Sequence, residues 1–218
     1  ASGRATCAHC LRPQTTCLCA LVRPTAHRTE VLVLQHPQEQ RQAKNSVALL
    51  RLSLAHCEVV VGERFAPGAL AGLLQRPGRE TRLLYPDVPA APAPSGVRVS
   101  PDATSASCAA SAVSVAAAVS IASTAPVRLV VLDATWRKSL RMLLEHPALA
   151  ALPRLALTAP PPTRYRAIRA ARRADQVSTL EATVHALSML EGPSFDAAPL
   201  LDAFGRFVAG AAARAARR

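Results

Sequence analysis

The chain has 218 residues, 50% hydrophobic and 18% charged, so it is long enough for one self-sufficient core and too apolar for global disorder. Aromatic residues are scarce (2 Tyr, 4 Phe, 1 Trp), which leaves Leu, Val, Ile and Ala to build that core. A net charge of +12 and a pI near 10.8 favour a polyanionic partner, most simply a nucleic acid. All the basic residues but Lys44 and Lys138 are Arg, a compositional bias that weakens the meaning of any single Arg. No apolar leader core is visible, and the longest weakly apolar run, Ala109 to Ala122, is too short and polar to cross a bilayer. A soluble cytoplasmic protein is expected.

The first feature along the chain is a cysteine cluster. Cys7-Ala8-His9-Cys10 and Cys17-Leu18-Cys19 form a C-x2-C pair and a C-x-C pair separated by six residues. Two closely spaced pairs can fill the four corners of a tetrahedral Zn²⁺ site, and a site filled wholly by protein is structural. Disulfides would need an oxidising compartment, and a redox C-x-x-C would need a flanking strand and helix. His9 is an alternative ligand for one cysteine. The isolated Cys57 and Cys108 read as small buried hydrophobes.

Next come short β-rich runs at Glu30–Gln35, Glu58–Val61, Arg82–Tyr85, Val127–Leu132 and, more weakly, Arg154–Thr158. Near-continuous apolar strands predict a parallel sheet covered on both faces. Helices are predicted over about 43–54, 67–75, 136–146, 179–191 and 198–216, and their alternation with strands gives an α/β class. Residues 87–126 interrupt the rhythm with a Pro/Ala linker and an Ala/Ser/Val stretch, and they read as an insertion. Thr135 is a plausible N-cap. Ser178-Thr179-Leu180-Glu181 spells a capping box, with Ser178 bonding the third helical N–H and Glu181 reaching back.

Asp133-Ala134-Thr135-Trp136 falls where the most apolar strand gives way to a helix, and ligands of open α/β sheets bind beyond the carboxyl ends of strands. By position alone Asp133 is either a helix cap or a carboxylate aimed into a cleft. The segment Asp133-Ala134-Thr135-Trp136 resembles the Asp-x-Thr-Trp signature of the DTW-domain family. Similar blocks follow the family order: the four cysteines with Pro13, His36-Pro37-x-Glu39, Lys44-Asn45-Ser46, Leu84-Tyr85-Pro86, Tyr165-Arg166 and Ser178 to Ala182. Ala134 stands where the family commonly has Gly, Val47 stands where Gly often follows the Ser, and the 87–126 segment is longer than usual.

The resemblance implies a tRNA-uridine aminocarboxypropyltransferase. Such enzymes move the 3-amino-3-carboxypropyl group of S-adenosylmethionine to N3 of uridine in tRNA and release 5′-methylthioadenosine. It also implies a SPOUT-like fold whose threaded C-terminal segment forms a knotted cofactor pocket, and a division into a zinc-binding knuckle (1–24) and a catalytic domain (25–218). Asp133 is the expected base, or the group that holds the uridine N3–H, with Glu181 and then Glu39 as rivals. Ser46, Leu84, Leu132, Tyr165 and Thr179 are expected at S-adenosylmethionine. Thr135 and Trp136 are expected at the substrate, although Trp136, the only Trp, could equally anchor its helix.

The Arg-rich stretch contributes Arg164, Arg166, Arg169, Arg172 and Arg173 to an expected RNA face, with Tyr165 stacking a base. The zinc knuckle, with Arg4 and Arg12, is placed to grip the tRNA body, and His36 reads as a structural histidine. Zn²⁺ is structural at Cys7, Cys10, Cys17 and Cys19. No membrane and no obligate protein partner are expected. The alternatives are a SPOUT-type RNA methyltransferase and a non-catalytic zinc-containing RNA-binding module.

Overall fold

The computed structural model describes residues 5–40, 42–86, 125–157, 163 and 177–217. Five strands form one wholly parallel sheet: β1 (Glu30–Gln35), β2 (Cys57–Val61), β3 (Glu80–Leu84), β4 (Val127–Asp133) and β5 (Arg154–Leu155), in the order β2-β1-β4-β3-β5. Among the described residues the helices are α1 (Pro37–Gln40), α2 (Val47–Ser53), α3 (Pro67–Leu74), α4 (Trp136–Glu145), α5 (Pro147–Ala150), α6 (Thr179–Glu191) and α7 (Ala198–Ala216).

The strands are apolar throughout because both faces of the sheet are covered. On β1, Val31 and Val33 point into one core with Leu129 and Val131 of β4, beneath α2, α6 and α7. Leu32 and Leu34 point the other way, joining Val130 against α3, α4 and α5. These four β1 side chains are fully buried, and each stabilises the fold by about 2 kcal/mol relative to exposure. The scarcity of aromatics leaves, among the described residues, one ring pair in the first core, Phe204 and Phe207 of α7, with centroids 6.2 Å apart.

Helix boundaries follow local chemistry. The capping box closes as the sequence predicts: Ser178 Oγ accepts from Glu181 N–H at 3.1 Å, and Glu181 Oε2 accepts from Ser178 N–H at 2.9 Å. Gly192, at φ +58, ends α6 in the left-handed region. The helix predicted over 43–54 starts later, at Val47, because the Asn45 side chain takes the Val47 N–H at 2.9 Å. Thr135 occupies the N-cap position of α4 but makes no side-chain capping bond. No helix among the described residues is long and apolar enough to cross a membrane. The 87–124 part of the predicted insertion lies outside the described residues.

Topology places the cleft. The chain leaves β1 for α2 on one face of the sheet, and it leaves β4 for α4 on the opposite face. Because β1 and β4 are neighbours, their connections diverge and open a crevice between their carboxyl ends. Gln35 and Asp133, paired in register, close the two strands there. At the opposite end of the sheet, buried Arg128 binds Glu30 at 2.7 Å and Glu58 at 2.8 Å, clasping β4, β1 and β2.

Candidate active site and metal centre

Asp133 is the last residue of the central strand and is 5% exposed. Its carboxylate accepts three side-chain hydrogen bonds, each from a different segment. Gln35 Nε2 at the end of β1 reaches Oδ2 at 2.8 Å, and Asn45 Nδ2 in the loop before α2 reaches the same oxygen at 2.7 Å. Thr179 Oγ1, in the first turn of α6, donates to Oδ1 at 2.6 Å. An ionised carboxylate offers about four acceptor positions, so among the described residues one lone pair, on Oδ1, is left beyond these three. Below the side chain, His36 N–H donates to the Asp133 carbonyl at 2.9 Å and fixes the strand end.

Several other residues singled out from sequence lie toward the same carboxyl edge of the sheet. Buried Ser46 follows Asn45 at the start of α2 and makes no side-chain capping bond. Leu84 ends β3 in register with Val131, and Leu132 precedes Asp133. Trp136, the first residue of α4, is 50% exposed and meets Tyr85 edge-on, with ring centroids 5.4 Å apart. It is therefore not a core anchor, and an exposed aromatic face is suited to stacking a base. The Arg154 guanidinium lies over the Tyr85 ring, 5.2 Å from its centroid. Tyr165 and Arg164, Arg166, Arg169, Arg172 and Arg173 lie outside the described residues.

The rival carboxylates are otherwise engaged. Glu181 Oε2 takes the capping-box bond and also accepts Thr163 Oγ1 at 2.6 Å. Glu39 is buried in α1. His36 is buried too: its Nδ1 accepts Gln38 N–H at 3.1 Å, leaving Nε2 to face Glu63 at 3.6 Å, which is a structural arrangement.

The four cysteines converge at the N-terminus, their sulfurs all within 4.8 Å of one another. Cys7 Sγ lies 3.6 Å from Cys19 Sγ, and Cys10 Sγ 3.7 Å from Cys17 Sγ. A tetrahedron with Zn–S bonds of about 2.3 Å has edges of about 3.8 Å, so the cluster has the size of a Zn²⁺ site. These separations far exceed a disulfide bond of about 2.05 Å, and all four thiols are free. Backbone N–H groups of Cys10 and His9 pull the Cys7 thiol down to about 6, whereas burial and the neighbouring sulfurs push Cys19 up. Cys10 and Leu18 bury their side chains in the same core as α2, α6 and α7. Cys57 is half-buried, and burial pushes its thiol up to about 12, as befits an inert side chain.

Sequence reasoning gave no site role to Gln35 or to the Asn45 side chain, and it gave Arg12 a different one. Gln35 and Asn45 hold the Asp133 carboxylate, and Arg12 holds Asn45. The signal available for Gln35 was a lone amide ending an otherwise apolar strand. Arg12, expected at the RNA, instead turns inward: Nη1 donates to the Asn45 carbonyl at 2.9 Å, and Nη2 donates to the Ala43 carbonyl.

A parallel α/β fold with a carboxylate hub at its switch point and a four-cysteine cluster that could hold a metal ion defines the class of protein. The profile of the DTW domain matches residues 4–211, and the chain belongs to that family. It is similar to tRNA-uridine aminocarboxypropyltransferase 2 of Drosophila melanogaster (28% identity over 191 residues, 85% of this chain and 66% of the relative). It is also similar to tRNA-uridine aminocarboxypropyltransferase A of Arabidopsis thaliana (30% over 145 residues, 64% and 50%). The mouse tRNA-uridine aminocarboxypropyltransferase 2 is 28% identical over 198 residues, 88% of this chain and 58% of the relative. The chain thus spans between half and two thirds of the length of these relatives. No solved structure matches it significantly.

Proposed function

We propose that this chain is a tRNA-uridine aminocarboxypropyltransferase that uses S-adenosylmethionine in the cytoplasm and needs no protein partner. The observation that carries the reading is the buried Asp133 carboxylate, presented at the switch point by Gln35, Asn45 and Thr179 with an acceptor position to spare. Family membership and the names of three relatives support it.

In this reading uracil binds beside Trp136 and Thr135, and Asp133 Oδ1 receives or holds the N3 proton. N3 attacks the terminal carbon of the aminocarboxypropyl arm. The N3–C bond forms, the C–S bond breaks with its electron pair going to sulfur, and neutral 5′-methylthioadenosine leaves. A sulfonium activates three carbons, so orienting one of them toward N3 selects the group transferred and supplies several kcal/mol through proximity. Ser46, Leu84, Leu132 and Thr179 would hold S-adenosylmethionine together with Tyr165. The knotted, SPOUT-like threading of the C-terminal segment and the RNA face at Arg164, Arg166, Arg169, Arg172 and Arg173 belong to the same proposal. Cys7, Cys10, Cys17 and Cys19 would hold a structural Zn²⁺, which supplies folding free energy and leaves no corner open to water.

The by-product tests the reading. Incubation with unmodified tRNA and S-adenosylmethionine should yield 5′-methylthioadenosine. S-adenosylhomocysteine as product would replace it with methyl transfer, and tRNA binding without either product would leave only an RNA-binding module.

A further inference from the structure

The metal centre and the Asp133 hub are joined by one side chain, Arg12. Its backbone is fixed by the cysteine turn, because Cys7 N–H donates to the Arg12 carbonyl at 2.8 Å and Leu11, at φ +58, forms the corner just before it. Its guanidinium bridges the carbonyls of Ala43 and Asn45 and stacks over Phe207 of α7, 5.7 Å from the ring centroid. Asn45 spends its own side chain on both neighbours of the site: Nδ2 on Asp133 and Oδ1 on the first N–H of α2. Only three links therefore separate the cysteine turn from the reacting carboxylate.

We infer that Arg12 is a positioning residue through which the metal-organised turn sets the loop 43–46 and, through Asn45, the Asp133 carboxylate. An Arg suits the task where a Lys would not, since a planar fork can bond two carbonyls while its face lies on a ring. Without it the 43–46 loop keeps its sequence and its helix but loses the strut that fixes where Asn45 presents its amide. A displacement of about 1 Å in such a group is enough to cost on the order of 100-fold in rate. The kinetic consequence rests on the transferase reading; the mechanical link between metal and loop does not.

Two readouts on the metal-loaded chain test it. The first is amide hydrogen exchange of residues 45–50, measured relative to β1 amides. Chelation of wild type should raise it about tenfold or more. Arg12→Ala, with its metal content verified by elemental analysis, should show that rise already and respond no further to chelation. The second is turnover. Arg12→Ala should lower kcat about 30-fold with KM for both substrates within about threefold, Arg12→Lys should fall between, and millimolar guanidinium should partly restore the Ala variant. Arg23→Ala, whose guanidinium among the described residues bonds the local carbonyls of Ala20 and Val22, should match wild type. Full protection of 45–50 in metal-loaded Arg12→Ala, or an undiminished response to chelation, would overturn the inference. Should that variant lose its metal, Arg12→Lys decides by the same readouts. A wild type without transferase activity would sink the functional reading and leave the exchange result to judge the link alone.

Discussion

Replacing Asp133 by Asn alters the charge at the hub while nearly preserving its shape. The Asn oxygen can take the place of Oδ2 and accept from Gln35 and Asn45, and its amide then faces Thr179, whose hydroxyl can turn to accept. Hydrogen bonds to an ionised acceptor are worth about 1 kcal/mol more than neutral ones, so the two retained bonds weaken by about 2 kcal/mol in all. For a chain of this length that lowers Tm by about 5 °C. Asp133→Ala orphans three donors at once and should cost about 4 kcal/mol. The catalytic effect is separate and larger, because loss of a general base typically removes 100- to 10,000-fold. Asp133→Asn should therefore lower kcat by about 1,000-fold, with S-adenosylmethionine affinity by calorimetry within a few-fold of wild type. Near wild-type turnover would show that Asp133 neither takes nor holds the N3 proton. A parallel loss of cofactor affinity would make it a binding residue instead.

Cys17→Ser removes one corner of the sulfur tetrahedron, and elemental analysis should find metal content well below one per chain, with stability lowered by about 4 kcal/mol in urea titration. Leu11 holds φ +58 with its side chain 69% exposed, so Leu11→Gly should relieve a left-handed strain at little burial cost and raise stability by about 1 kcal/mol. Burial holds the His27 pKa below its ordinary 6.5, and Nε2 must stay unprotonated to accept His56 N–H at 3.2 Å. The folded state thus binds fewer protons than the unfolded one, so this stability is complete above pH 6.5 and is lost as pH falls through the folded value. Urea midpoints should drop below pH 6.5 in wild type and less steeply in His27→Gln.

Much of the architecture is written in local pattern. The apolar runs of β1 and β4 announce a doubly covered sheet because their side chains alternate between two cores. The limits of α6 and α7 match the expected 179–191 and 198–216 because the Ser178–Glu181 box marks the start of α6 unambiguously. The start of α2 was misplaced by a few residues, since Asn45 caps it through a side chain that propensity alone does not reveal. What pattern could not give is strand order. Which strands become neighbours depends on how connections cross the sheet, and the crevice between β1 and β4 exists only through that choice. Gln35, Asn45 and Arg12 are illegible for the same reason: each acts across a sequence separation of 30 residues or more. Trp136 is a milder case. Its motif was visible, but its half-exposure against Tyr85 was not.

The most direct test follows the arms of the sulfonium separately. The protein would be incubated with unmodified tRNA and two preparations of S-adenosylmethionine, one labelled in the methyl group and one in the aminocarboxypropyl chain, and the RNA then digested to nucleosides. The account predicts chain label on a uridine derivative and methyl label confined to the small-molecule fraction. Methyl label in the RNA, or no label in the RNA from either preparation, would contradict it.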